Sequence, residues 1–212
     1  MNIVMDKDKV IGELYVGSWN LLDFVGLGYF IEYREFIDET KLIRKEIEDA
    51  QSYYLATTNN RAELLAVIYG LQSVIDNITS QKIKLDQINF YTASKYLYNA
   101  VSQGWIYKWK SNNWMKSEWN GLPPRPIKNS DLWKQIIVCE EKLRQMGVDL
   151  LLHFVPSGLT RASYRMGYFD KVNRLAHEAA DEACIMAEKY FDELFSKEYE
   201  DLCNGIIVSQ GI

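Results

Sequence analysis

The chain of 212 residues is 48% hydrophobic and 25% charged, with 14 Tyr, 6 Trp and a formal net charge of −5. That content suffices for one sizeable α/β core and excludes an intrinsically disordered chain. No apolar run reaches the ~20 residues a membrane helix needs, and an acidic chain must gather its basic residues in one place if it is to grip nucleic acid.

The first nine residues lack a basic-then-apolar leader. Cys139, Cys184 and Cys203 have no close partner in sequence. Together these predict a cytoplasmic protein with reduced thiols and no membrane association. Two histidines and no Cys-x-x-Cys argue against a zinc site.

Residues 11–18 have the β-branched and aromatic content of a strand, and residues 26–34 predict its hairpin partner. Residues 36–51 are crowded with charge and are expected to be a solvated insertion containing a short helix. Residues 52–57 predict a third strand. The run Thr58-Asn59-Asn60-Arg61-Ala62-Glu63-Leu64 follows and opens a helix over residues 63–74, whose apolar positions recur at helical spacing. Asn60 is the expected N-cap, with Glu63 completing a capping box.

Residues 87–92 predict a fourth strand, ending in Thr92-Ala93-Ser94-Lys95-Tyr96 at the start of a helix. Residues 105–128 form a basic and aromatic stretch. Lys108, Lys110, Lys116, Arg125 and Lys128 face a single acid, Glu118, and four tryptophans interleave with them. The tryptophans read as core, since indole is usually packed. The excess of lysine reads as a phosphate-facing surface. Residues 131–146 predict an amphipathic helix capped by Asn129 or Ser130 and ended at Gly147. Residues 148–155 predict the last strand. A long loop over 159–171, a helix from Asn173 to about residue 195 and a tail over 204–212 complete the chain. The expected division is a domain over 1–190, with insertions at 36–51 and 159–171, and an extension over 191–212.

Strand, Thr-Asn-Asn-Arg-x-Glu-Leu, then helix resembles the second catalytic segment of type 1 ribonuclease H. There the Glu binds a catalytic metal and the Thr-Asn-Asn loop touches nucleic acid. Other segments follow in the family's order. Leu14-Tyr15-Val16-Gly17-Ser18 resembles its first strand, Thr92-Ala93-Ser94 its Thr-Asp-Ser, and Lys128-Asn129-Ser130-Asp131-Leu132-Trp133 the end of its basic handle. Val155-Pro156-Ser157-Gly158 resembles its Val-x-x-His loop, and Asn173-Arg174-Leu175-Ala176-His177 its last motif. The resemblance implies an α/β RNase H-like fold. It would have a five-stranded mixed sheet flanked by helices, a basic handle and a C-terminal helical extension.

It also implies a changed site. The family's chemistry needs four carboxylates around two Mg²⁺ ions, which take hard oxygen ligands. Glu63 is the single carboxylate kept; Val16, Ala93 and His177 stand at the other three positions. His177 has a plain structural alternative, a helix histidine bonded to Glu63 or a backbone carbonyl. The leading expectation is a metal-independent protein that binds an RNA–DNA hybrid or another A-like duplex without cutting it. The expected contacts are Thr58, Asn59, Asn60, Lys108, Trp109, Lys110, Lys116, Lys128 and Asn129. A second reading is a protein-interaction scaffold that recruits a partner such as a reverse transcriptase. A third is an active nuclease using Mg²⁺ or Mn²⁺ at a site rebuilt from Glu63, His177, Asp181 and Asp23. The sequence leaves homodimer formation open.

Overall fold

The computed structural model describes residues 9–21, 24–36, 42–54, 57–116, 123–155 and 164–209; the side chains of 36, 42, 54, 164–166 and 190–209 are not described. Strands β1 (Ile11–Leu21), β2 (Phe24–Phe36) and β3 (Leu42–Tyr54) run as an antiparallel meander. β4 (Gln87–Thr92) joins β1 in parallel and β7 (Asp149–Phe154) joins β4 in parallel, so the sheet order is β3-β2-β1-β4-β7. This is the expected five-stranded mixed sheet. A two-residue ladder, β5 (Met115–Lys116) with β6 (Arg125–Pro126), is added in the basic stretch.

One face of the sheet is covered by α1 (Asn59–Thr79) and α4 (Ser130–Gln145), with the short helices α2 (Lys95–Ser102) and α3 (Trp105–Ser111) beside them. Alternate residues Leu14, Tyr29, Ile31 and Tyr33 of the sheet meet Leu64, Leu71, Val74 and Ile75 of α1 in the main core. Each such side chain contributes about 1.5–3 kcal/mol by leaving water. The other face is covered by α5 (Tyr164–Ser209) over β1, β2 and β3. Here Tyr15, Phe30, Tyr91, Tyr168 and Phe169 form a second, aromatic core. Close approach of α5 depends on glycine: a Cβ at Gly26 would lie 1.7 Å from the Ala176 carbonyl oxygen, and one at Gly28 2.8 Å from that of Val172.

Three expectations are corrected. Residues 42–54 are a 13-residue strand and not a solvated insertion with a helix. Their charges are matched across the sheet edge. Lys171 of α5 pairs with Glu48 and lies 3.5 Å from Glu46, while Arg44 bonds Glu46 at 2.8 Å. The nearly buried Glu32 is held by Arg44 at 2.7 Å and by the Tyr168 hydroxyl, which ties β2, β3 and α5 together. Second, α5 begins at Tyr164, inside the expected loop, and continues to Ser209 through most of the expected tail. Third, α1 begins two residues earlier than its expected cap allows. Thr58 is the N-cap, its hydroxyl accepting from the Arg61 backbone N–H at 3.4 Å, and Asn60 lies within the helix. Gly158, Asp23, Glu118 and Trp119 lie outside the described residues.

Candidate functional site

A cavity of about 230 Å³ opens where the C-terminal ends of β1 and β4 meet the N-terminal turns of α1 and α2 and the flank of α5. Val16, Glu63 and Ala93 all line it, so three positions far apart in sequence share one concave surface. Val16 and Ala93 bring only carbon to it. Ser18, Ser94, Asp170 and Asn173 add polar atoms, Asp170 and Asn173 from α5.

The Glu63 carboxylate is already engaged. Ser94 donates its hydroxyl to Glu63 Oε2 at 2.5 Å and accepts the Leu97 backbone N–H at 3.3 Å as the N-cap of α2. The Ser94 backbone N–H in turn donates to Thr92 Oγ1 at 3.0 Å. Glu63 therefore fastens α1 to the start of α2 and does not complete a capping box.

His177 is not among the residues lining this cavity. It stands one helical turn beyond Asn173. Its partner is neither Glu63 nor a backbone carbonyl: Nδ1 lies 2.9 Å from Asp181 Oδ2, and the ring packs on Trp19 with centroids 4.6 Å apart. Asp170 is the α5 side chain the sequence reading missed, and Asn173, read there only as the start of the last motif, lines the cavity where His177 was expected. Asp170 precedes the motif-like run at 173–177, and only the docking angle of α5 brings it to the cavity. Among the described residues no cluster of three or more His, Cys, Asp or Glu is arranged to hold a metal ion.

Beside the cavity lies the Thr58–Asn60 turn. Asn59 and Asn60 are exposed, and Asn20 Nδ2 at the end of β1 donates to Asn59 Oδ1 at 2.8 Å. Arg61 reaches across to the start of α4. Its Nη1 and Nη2 donate to Asp131 Oδ1 and Oδ2 at 3.0 and 2.6 Å, and Nη1 lies 3.5 Å from Asn129 Oδ1. Such a two-point guanidinium–carboxylate bond fixes direction as well as distance. The hydrogen bond from Arg61 holds the Asp131 carboxyl below the usual carboxylate range. Asn129 is held in the left-handed region (φ 59°) and makes no side-chain cap to α4. Asn turns up in that conformation more readily than most residues.

The basic stretch divides as its chemistry suggests. Trp105, Trp109 and Trp114 are half-buried against the main core, and Trp109 lies 5.7 Å from the ring of the fully buried Trp133. Lys108, Lys116 and Lys128 are exposed, and none is in an ion pair among the described residues. Lys110 is tied to Glu141 at 2.9 Å. The tryptophans are the footing on which this lysine-bearing surface is built.

Comparison with known proteins agrees with the fold. The family model described as RNase H matches residues 24–148. Ribonuclease H of Caldanaerobacter subterraneus is 40% identical over 97 residues, 46% of this chain and 53% of that protein. Ribonuclease H of Chlorobium phaeobacteroides is 36% identical over 89 residues, 42% of this chain and 52% of that protein. The alignments thus span about half the length of these curated relatives. Among solved structures, LC9-RNase H1, described as a type 1 RNase H with the type 2 active-site motif, superposes with a TM-score of 0.55 at 20% identity, covering 82% of this chain and 74% of that one. LC11-RNase H1, solved in complex with an RNA/DNA hybrid, superposes with a TM-score of 0.51 at 16% identity, covering 83% and 99%. At such identities the structures speak for the fold alone. The family model covers Glu63, Ala93 and Asn129 and leaves out β1 with Val16 and α5 with His177. With more than half of its length matched by that model, and with the sheet expected of it, the chain belongs to the RNase H family.

Proposed function

We propose that this chain binds nucleic acid through the surface its family uses and does not cut it. The observation that carries the reading is the cavity formed by Val16, Glu63 and Ala93, in which one carboxylate faces two hydrocarbon side chains. That donor set does not fit a pair of Mg²⁺ ions. The family's pair of ions is held by four carboxylates, and this cavity offers two, Glu63 and Asp170, the first already accepting from the Ser94 hydroxyl. Asp170 and Asn173 are the other oxygen donors at the cavity from α5. Two carboxylates and an amide fall short of the anionic donor set for two such ions. No hydrolytic step is therefore assigned to this site.

The binding half of the surface is better furnished. Asn59 is bonded by Asn20, and Arg61 of the same turn links Asn129 and Asp131, while Lys108, Lys116 and Lys128 are exposed and without an ion pair among the described residues. An A-like duplex offers its 2′-hydroxyls and phosphates across a wide, shallow minor groove. Neutral amides suit the hydroxyls and lysines the phosphates. A solved relative holds an RNA/DNA hybrid, which makes a hybrid the first ligand to try.

The test has two arms. Anisotropy of a labelled RNA–DNA hybrid should report binding that weakens steeply with salt, and each of Lys108→Ala, Lys116→Ala and Lys128→Ala should reduce the salt slope by about 1. The same hybrid incubated with Mg²⁺ or Mn²⁺ should stay intact. Absence of binding at low salt would sink the first claim, and cleavage lost in Glu63→Gln the second.

A scaffold role is the second reading, and one observation favours it. Ala180 is the last buried residue of α5 among those described, yet the helix continues to Ser209. Residues 181–189 of the helix include no buried side chain, a surface for a partner protein, a reverse transcriptase or a second copy among the candidates. Pull-down of the full chain against the same chain ended after residue 180 would separate this role from nucleic-acid binding.

A further inference from the structure

Trp19, near the end of β1, is 42% exposed. Its cross-strand neighbour is Gly26, which has no side chain to cover it. The ring rests instead on His177 of α5, with centroids 4.6 Å apart and planes at 57°. His177 is held by Asp181 at 2.9 Å. Isolated exposed apolar residues are ordinary. This one differs in being propped from behind by an imidazole whose own position is fixed by a carboxylate.

The shelf also adjoins the cavity through α5. Asn173 lies one turn before His177 and lines the cavity, and its Oδ1 stands 2.7 Å from where a Cβ on Gly17 would be, on the same face of β1 as Trp19. On the opposite face of the strand, Asn20 bonds Asn59 of the exposed turn. The indole is thus flanked by an amide that is able to donate and accept.

We propose that Trp19 is a stacking platform for one unpaired nucleobase, whose edge is read by Asn173. This rests on the nucleic-acid reading above and adds that single-stranded or bulged nucleotides are preferred. Charge favours a base over a phosphate at this spot. Asp170, Glu178 and Asp181 all belong to this part of α5, and Arg174 is paired with Glu178 at 3.4 Å. Backbone phosphates are repelled here and drawn to Lys108, Lys116 and Lys128. A π-face accepts any base, so the preference is for being unpaired and not for sequence.

The experiment compares a fully paired RNA–DNA hybrid with the same hybrid carrying one unpaired nucleotide, and with an abasic residue at that nucleotide, by anisotropy on the full chain. The unpaired base should tighten binding about tenfold over the paired hybrid, and the abasic residue should abolish that gain. Trp19→Ala should bring the ratio between the two ligands close to one. Trp19→Phe should keep most of it, and His177→Ala, which removes the prop, should keep part. Thermal unfolding of each variant separates loss of stacking from loss of fold, with Trp19→Phe as the variant expected to fold normally. Equal binding of paired and unpaired ligands by the unsubstituted chain would overturn the platform while leaving the duplex reading intact. So would an unchanged ratio in Trp19→Ala. Absence of binding to all three ligands would overturn both.

Discussion

Ser94 donates its hydroxyl to Glu63 at 2.5 Å while capping α2, so the Glu63 carboxylate serves as a clasp between two helices. A hydrogen bond to a charged acceptor contributes about 1.5–3 kcal/mol. Because both residues are only partly buried, Glu63→Ala and Ser94→Ala should each cost about 1–2 kcal/mol. Denaturant titration of the double variant should fall short of the sum, since both changes remove the same bond. Full additivity would show that the clasp contributes nothing.

Arg61 and Asp131 give a pH-dependent prediction. The folded-state pKa of Asp131 lies below its ordinary value of 3.8. The pair's stabilisation is therefore complete above that ordinary value and is lost as pH falls through the lowered one. Both partners are substantially exposed, so the pair is worth about 0.5–1 kcal/mol. The stability gap between the unsubstituted chain and Asp131→Asn should be constant from pH 7 to about pH 5 and should begin to close below about pH 4. Hybrid affinity should fall more than stability does, because Asn129 loses its tether to the Asn59–Asn60 turn.

The glycines beneath α5 make a third test. Gly26→Ala places a carbon where the Ala176 carbonyl oxygen already stands, 1.7 Å away, and backbone cannot swing aside as a side chain would. Overpacking typically costs 1–3 kcal/mol, and this site should reach about 3 kcal/mol or more. Gly104→Ala, with open space around its Cβ position, should be much milder, its cost being the positive φ of 66°. Thermal melts of the two variants compare packing with backbone strain directly.

Restoring acids to the cavity distinguishes the two α5 positions. Val16→Asp and Ala93→Asp combined with Asn173→Asp should crowd five carboxylates, counting Glu63 and Asp170, around one cavity. Like charges at such range repel, so the metal-free variant should lose about 2 kcal/mol and regain it in Mg²⁺. The same pair combined with His177→Asp should respond less to Mg²⁺, since position 177 does not line the cavity. Equal Mg²⁺ stabilisation of the two variants would place 177 at the site after all.

What the sequence determined is local. The Thr58–Leu64 run followed by helix, the Thr92–Ser94 turn and the Lys128–Trp133 run each carry their own turn chemistry and apolar period, and each proved to lie at a strand-to-helix or loop-to-helix junction. The same locality explains the errors. Residues 42–54 carry too many charges to read as a strand, and they become one because Arg44, Glu46 and Glu48 find partners on β2 and α5. The α1 cap was misplaced because Thr58, Asn59 and Asn60 are all competent caps, and packing of Leu64 and Leu71 against the sheet chose among them.

The tertiary structure alone decided which α5 residues face the cavity. A helix turns its side chains by about 100° per residue, so Asn173 and Asp170, one and two turns before His177, lie on nearly the same face of α5, and a shift along the axis exchanges His177 for them. The glycine floor at Gly26 and Gly28 sets that register, by letting the backbone of α5 come to rest at a single height and angle on the sheet. Sequence spacing names the candidates; the contact of one backbone with another selects between them.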